Sequence, residues 1–120
     1  MKSEAVRRRR PQLTQREQHA LDALKTRLRQ TFNGGVARLL LFGSKARGDA
    51  HRRSDVDLLL VLRRDDRHAQ DALADITLEI MMEYHVDLSV MTLSQREFAR
   101  LSHPPTSFMY TVLQDGIRLV

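Results

Sequence analysis

Residues 36–62 read VARLLLFGSKARGDAHRRSDVDLLLVL. In this stretch an apolar run, a glycine turn and two spaced acids follow one another, and their order decides the fold. Val36 to Phe42 is apolar apart from Arg38, which is the composition of a buried strand. Gly43 to Gly48 reads as a turn leading into a short helical stretch, and residues 49–54 as a polar loop. Asp55 to Leu62 is a second strand. Side chains alternate along a strand, so Asp55 and Asp57 share one face. Val56, Leu58, Leu60 and Leu62 take the other face, toward a core.

Two carboxylates on one face at the mouth of a strand are suited to binding hard cations through oxygen. The Gly43-Ser44 turn has a complementary chemistry. Glycine lets backbone approach a ligand closely. A helix starting at Ser44 aims unpaired N–H groups at an anion, and Lys45 and Arg47 add positive charge nearby. A phosphate binder opposite a carboxylate metal site is what phosphoryl or nucleotidyl transfer requires. Taken singly, each piece has an ordinary explanation: Asp-x-Asp is common, Gly-Ser is a turn, and the loop cations Lys45, Arg47, Arg52 and Arg53 are solvated. Only the combination is specific.

Downstream, Asp66 to about Tyr84 has the period of a helix, with Ala69, Leu73, Ile76 and Ile80 as its inward stripe. His85 to Met91 reads as a third strand in which His85, Asp87 and Ser89 share a face. If Gly43-Ser44 and Asp55 lie in one site, the first two strands run antiparallel. Asp87 joins them only if the third strand runs parallel to the second, which needs a long crossover. The helix from Asp66 supplies it. The expected fold class is therefore α/β (α+β), a mixed sheet flanked by helices, with Gly43, Ser44, Asp55, Asp57 and Asp87 converging at one edge. Asp87 is then a third carboxylate that can share a metal or take a proton from an acceptor hydroxyl.

Working outward, Thr14-Gln15-Arg16-Glu17 has the form of a capping box. It opens a helix with Leu13, Ala20, Leu21, Leu24 and Leu28 on one face, ending near Asn33-Gly34-Gly35. Ser94 with Glu97 opens another helix, which Pro104-Pro105 interrupts. Thr106 to Gln114 is a last helix, stopped by Gly116, and Ile117 to Val120 a short strand. On the crossover helix, Asp71, Asp75, Glu79 and Glu83 recur every four residues. A solvated face is the ordinary reading, and a docking face for a basic partner is the functional one. His85 reads as a surface or packed histidine before it reads as a catalyst.

The 120 residues carry a net charge of +5 and no cysteine. Residues 1–10 hold five cations against Glu4, so the tail accounts for +4 and the rest of the chain for only +1. Basicity belongs to the Arg7–Arg10 run rather than to a domain face, and nucleic-acid contact is expected only through that run. Residues 1–12 are expected to be a basic, disordered tail and 13–120 one domain. The lack of cysteine fits a cytoplasmic protein. No apolar run approaches a membrane span, and the basic start has no apolar segment behind it, as a secretion signal would.

The stretch GSKARGDAHRRSDVDLLLVL resembles the signature of the DNA polymerase beta nucleotidyltransferase superfamily: Gly-Ser, about ten residues, Asp-x-Asp, and a later acid on a strand. Here Gly43-Ser44 is followed after ten residues by Asp55-x-Asp57, and Asp87 lies in HVDLSVM. The small size and Ala46-Arg47-Gly48 resemble the minimal nucleotidyltransferases. The resemblance implies a polymerase beta palm-like core. It implies phosphate contacts from Gly43, Ser44 and Arg47, and two Mg2+ ions on Asp55 and Asp57. It also implies that Asp87 completes the metal site and helps deprotonate the acceptor. ATP is the implied nucleotide, giving AMP transfer with release of pyrophosphate. The resemblance further implies a role found often among relatives of this size, that of an antitoxin that adenylylates a tyrosine of a HEPN-type toxin. This chain lacks the Arg…His-x-Tyr pattern of such a toxin and fits the antitoxin half. Two alternatives use the same fold: an antitoxin that binds without catalysis, and a nucleotidyltransferase acting on a small molecule. The absence of a second domain to hold an acceptor counts against the latter.

Overall fold

The computed structural model describes residues 11–49 and 54–120; the Arg7–Arg10 run and the loop arginines Arg52 and Arg53 lie outside them. Helix α1 (Gln15–Phe32) starts at a complete capping box. Thr14 Oγ1 accepts from the Glu17 N–H, and Glu17 Oε1 accepts from the Thr14 N–H. It ends at Asn33 in the left-handed conformation, as a short polar side chain allows. Strand β1 (Val36–Phe42), the single turn α2 (Gly43–Arg47) and strand β2 (Val56–Leu62) follow. Helix α3 (Arg67–Tyr84) is N-capped by Asp66 and presents Ala69, Leu73, Ile76 and Ile80 inward, the stripe its period predicts. Strand β3 (Leu88–Ser94), helix α4 (Gln95–Ser102), helix α5 (Ser107–Asp115) and strand β4 (Ile117–Arg118) complete the described chain.

The sheet order is β3-β2-β1-β4. Strand β1 is antiparallel to β2 and β4, and β3 is parallel to β2 through the α3 crossover. The mixed sheet and both strand directions required for a shared site are therefore present.

The sheet is covered on both faces. Leu39, Leu41, Val56, Leu58, Leu60 and Leu62 pack against α1 and α3. Leu40, Leu59, Val61 and Leu93 pack against Phe98, Met109 and Val112 of α4 and α5. Leu59 and Val61 lie on the same face of β2 as the two aspartates. That face is thus buried beyond Asp57, and the acids occupy only its open end. Burying a leucine of this kind contributes roughly 1.5–3 kcal/mol.

The third strand departs from expectation. It begins at Leu88 rather than His85 and runs to Ser94. The reason lies in the preceding helix: His85 caps α3 in the left-handed conformation, and its N–H and that of Val86 both donate to the Met81 carbonyl. His85 is therefore outside the strand and does not share a pleated face with Ser89. Strand β4 is shorter than expected, although Leu119 and Val120 continue backbone hydrogen bonding with Leu39. On α3, Asp71, Asp75, Glu79 and Glu83 are all exposed, and Glu79 pairs with Arg27 of α1.

Candidate functional site

Local chemistry places the Gly43-Ser44 turn against the acids. Phe42 stands opposite Asp57 in the β1–β2 register, so the residue after Phe42 turns directly over the Asp57 side chain. Gly43 has φ +76°, a left-handed conformation that favours glycine. A Cβ there would lie 2.3 Å from Asp57 Oδ2 and 3.2 Å from its Cγ. The space a side chain would fill is occupied by the carboxylate. Gly43 is thus required twice, by its backbone and by its neighbour.

Asp57 is half-buried and Asp55 exposed. Burial raises the Asp57 carboxyl above its ordinary value; the Asp55 charge raises it further, and Arg47 draws it partly back down. Two like charges held together while a cation leans toward them are a donor set that fits a divalent ion. Arg47, the last residue of the turn, pairs with Asp49 at 3.2 Å and is close enough to Asp57 for its charge to act on it. Helix α2 is a single turn, so it offers a few unpaired backbone N–H groups rather than a long summed dipole.

Asp87 comes to the same edge but less closely. The β2–β3 register pairs Val56 with Leu88, which sets Asp87 beside Asp55, and the Val56 N–H donates to the Asp87 carbonyl at 3.0 Å. Its side chain is exposed. Among the described residues, no three carboxylates or imidazoles are gathered tightly enough to hold one ion. The fold thus brings Asp55 and Asp57 together with Gly43, Ser44 and Arg47 and leaves Asp87 at the margin.

Lys45, expected to lend positive charge to a nucleotide at the turn, or else to be a solvated loop cation, is placed differently. Its side chain is 5% exposed, and Nζ donates to both Glu17 carboxylate oxygens at 2.9 and 3.1 Å. The Gln12 N–H donates to the Lys45 carbonyl at 2.7 Å, tying the chain ahead of α1 to the same turn. Lys45 therefore braces α2 against α1, its charge neutralised by an acid that also caps the helix. The capping pattern was readable in the sequence; its second use is a long-range contact that no spacing announces.

A cavity of about 580 Å³ opens beside Asp87, between the first turn of α1 (Thr14 to Glu17), Ser54, and the segment His85 to Asp87. Its Arg16 carries no sequence signal for the site, because α1 reaches this edge only through tertiary packing; His85, expected on the Asp87 face of the third strand, joins the wall from the end of α3 instead.

Comparison with known proteins bears on the family and the fold. The model of the nucleotidyltransferase domain family matches residues 21–113. Two candidate protein adenylyltransferases of Methanocaldococcus jannaschii are similar. MJ1305 is 37% identical over 71% of this chain and 60% of its own length. MJ0604 is 29% identical over 83% of this chain and 94% of its own length. The chain thus spans less than two thirds of MJ1305. Among solved structures, a toxin–antitoxin complex with AMP-PNP aligns with TM-score 0.55 at 20% identity, over 82% of this chain and 71% of that one. A variant of the MntA–HpeT toxin–antitoxin aligns with TM-score 0.54 at 18% identity over the same shares. These structural likenesses concern the fold. From the matched family model together with the Gly43–Asp57 interlock, the chain belongs to the nucleotidyltransferase domain family.

Proposed function

We propose that this chain transfers AMP from ATP to a hydroxyl of a partner protein, a tyrosine of a HEPN-type toxin, and acts as its antitoxin. The observation that carries the reading is the seating of Asp57 against Gly43, with Asp55 and Arg47 beside it. A turn suited to phosphate and a carboxylate pair suited to a divalent ion are built as one unit. The relatives named as candidate protein adenylyltransferases, and the fold shared with an AMP-PNP-bound toxin–antitoxin complex, support the choice of nucleotide and acceptor class.

In this reading Gly43 and Ser44 hold the triphosphate through backbone and hydroxyl groups, and Arg47 adds charge to it. Asp55 and Asp57 would hold Mg2+, two ions in all, with Asp87 completing the set. Bound metal neutralises the triphosphate and the developing charge on the transferred group. The acceptor oxygen attacks the α-phosphorus, the bond from that phosphorus to the bridging β-oxygen breaks, and pyrophosphate leaves. Asp87 accepts the hydroxyl proton. Lys45 acts by holding α2 in place. The chain from residue 13 onward works as one unit, and the site of action is the cytoplasm. No helix among the described residues is long and apolar enough to cross a membrane.

The marginal position of Asp87 favours a second reading, in which the protein neutralises its partner by occlusion alone. The test is transfer of labelled AMP from ATP and Mg2+ to the product of the neighbouring gene, with an Asp55→Ala/Asp57→Ala control. Label on the partner, absent with the control, is the expected result. No label, with the control still neutralising the partner, leaves the occlusion reading standing instead.

A further inference from the structure

We infer that the cavity beside Asp87 receives the acceptor side chain, and that Arg16 and His85 position it; this assignment rests on the reading of the chain as a nucleotidyltransferase. Three observations converge on it.

The first is direction. In the order β3-β2-β1, the Gly43-Ser44 turn follows β1 and Asp87 precedes β3, with Asp55 and Asp57 between them. The attacking and leaving oxygens of a transferred phosphoryl group lie roughly in line. With the leaving pyrophosphate held at Gly43-Ser44, the nucleophile arrives from the β3 flank. The cavity opens on that flank, with Asp87 in its wall.

The second is local cost. Arg16 is the second residue of α1, where unpaired N–H groups give the helix a positive end and a cation is unfavourable. His85 stands at φ 55°, ψ 50°, a conformation that glycine or asparagine adopts more cheaply. Neither residue suits its own backbone position, and the fold brings both to one cavity. Choices that break a local rule and meet at one place mark function more often than stability.

The third is the chemistry of the wall. The Glu17 carboxylate, the acid next to Arg16 in the chain, is engaged by the Thr14 N–H and by Lys45. Among the described residues the exposed Arg16 has no hydrogen-bond or ion-pair partner, and its planar guanidinium is suited to stacking on an aromatic face. His85 and Asp87 lie side by side along the same wall and offer partners for a hydroxyl. About 580 Å³ is within the size range of small-molecule pockets and takes one side chain rather than a folded domain. An aromatic side chain bearing a hydroxyl matches these groups.

The experiment uses the full chain with ATP, Mg2+ and N-acetyl-L-tyrosinamide as the acceptor probe, and measures initial rates of AMP transfer. The variants are Arg16→Ala, His85→Gly and both together. Each removes a residue its backbone position disfavours, so none should lower the melting temperature. The KM for the probe is expected to rise about tenfold in each single variant, equivalent to one lost contact of about 1.4 kcal/mol, while the KM for ATP stays unchanged. An unchanged probe KM in the double variant overturns the assignment. A rise in the KM for ATP alone also overturns it and puts the nucleotide in the cavity. Failure of the underlying reading looks different: the wild-type chain would transfer AMP neither to the probe nor to the partner protein, whereas transfer to the partner but not to the probe overturns this assignment alone.

Discussion

Replacing Gly43 by alanine tests the interlock at the centre of the site. Two costs can be separated. The φ of +76° costs a residue with a Cβ about 1–2 kcal/mol. The new methyl would also stand 2.3 Å from Asp57 Oδ2, so the carboxylate must rotate away from Asp55 and Arg47. Conformational cost alone lowers the melting temperature by roughly 5–10 °C for a chain of this size. A double-mutant cycle isolates the second term. In an Asp57→Ala background the clashing oxygen is gone and only Cβ remains, at a tight 3.3 Å. There the penalty of Gly43→Ala should fall to the backbone cost, leaving a coupling of about 1 kcal/mol or more. The assay is urea unfolding of the four proteins, with AMP transfer measured in parallel and expected to be lost with Gly43→Ala alone. Additivity of the two substitutions, or full transfer by Gly43→Ala, would refute the claim that the turn and Asp57 form one unit.

Three further substitutions probe the charges. The Asp57 carboxyl is raised by burial and by Asp55, so the folded protein takes up a proton at a higher pH than the unfolded chain does. Stability should therefore rise as pH falls through the window just above the ordinary carboxylate range, and be lower above it. Asp57→Asn should then melt higher than wild type at pH 7, the gap closing on acidification; thermal melts from pH 4 to 7 decide, and a lower melting temperature at pH 7 contradicts the charge-repulsion account. Lys45→Met strands Glu17 in a nearly buried setting and should cost about 3 kcal/mol in urea unfolding. Arg47→Met breaks only a partly exposed pair with Asp49, so it should cost under about 1 kcal/mol and weaken ATP binding instead. Equal losses of stability from the two would contradict the separation of a bracing lysine from a site arginine.

The amino-acid order by itself determined a good deal. Short-range rules act between neighbours, so they are legible without coordinates. The capping boxes at Thr14/Glu17 and Ser94/Glu97 are of this kind, as are the inward stripe of α3 and the shared face of Asp55 and Asp57. Strand directions followed from one condition: if Gly43-Ser44, Asp55 and Asp87 share a site, β1 runs antiparallel and β3 parallel to β2, and the crossover helix was long enough for the parallel pair. Only the tertiary structure decided the rest. The start of β3 depended on how far α3 ran before His85 capped it, a competition between helix end and strand start that periodicity does not resolve. Lys45 turned inward because Glu17, distant along the chain, was carried to it by the packing of α1. Arg16 and His85 reached one cavity for the same reason. Neighbours in sequence interact through geometry that every chain shares, whereas residues far apart meet only where a particular core has folded them together.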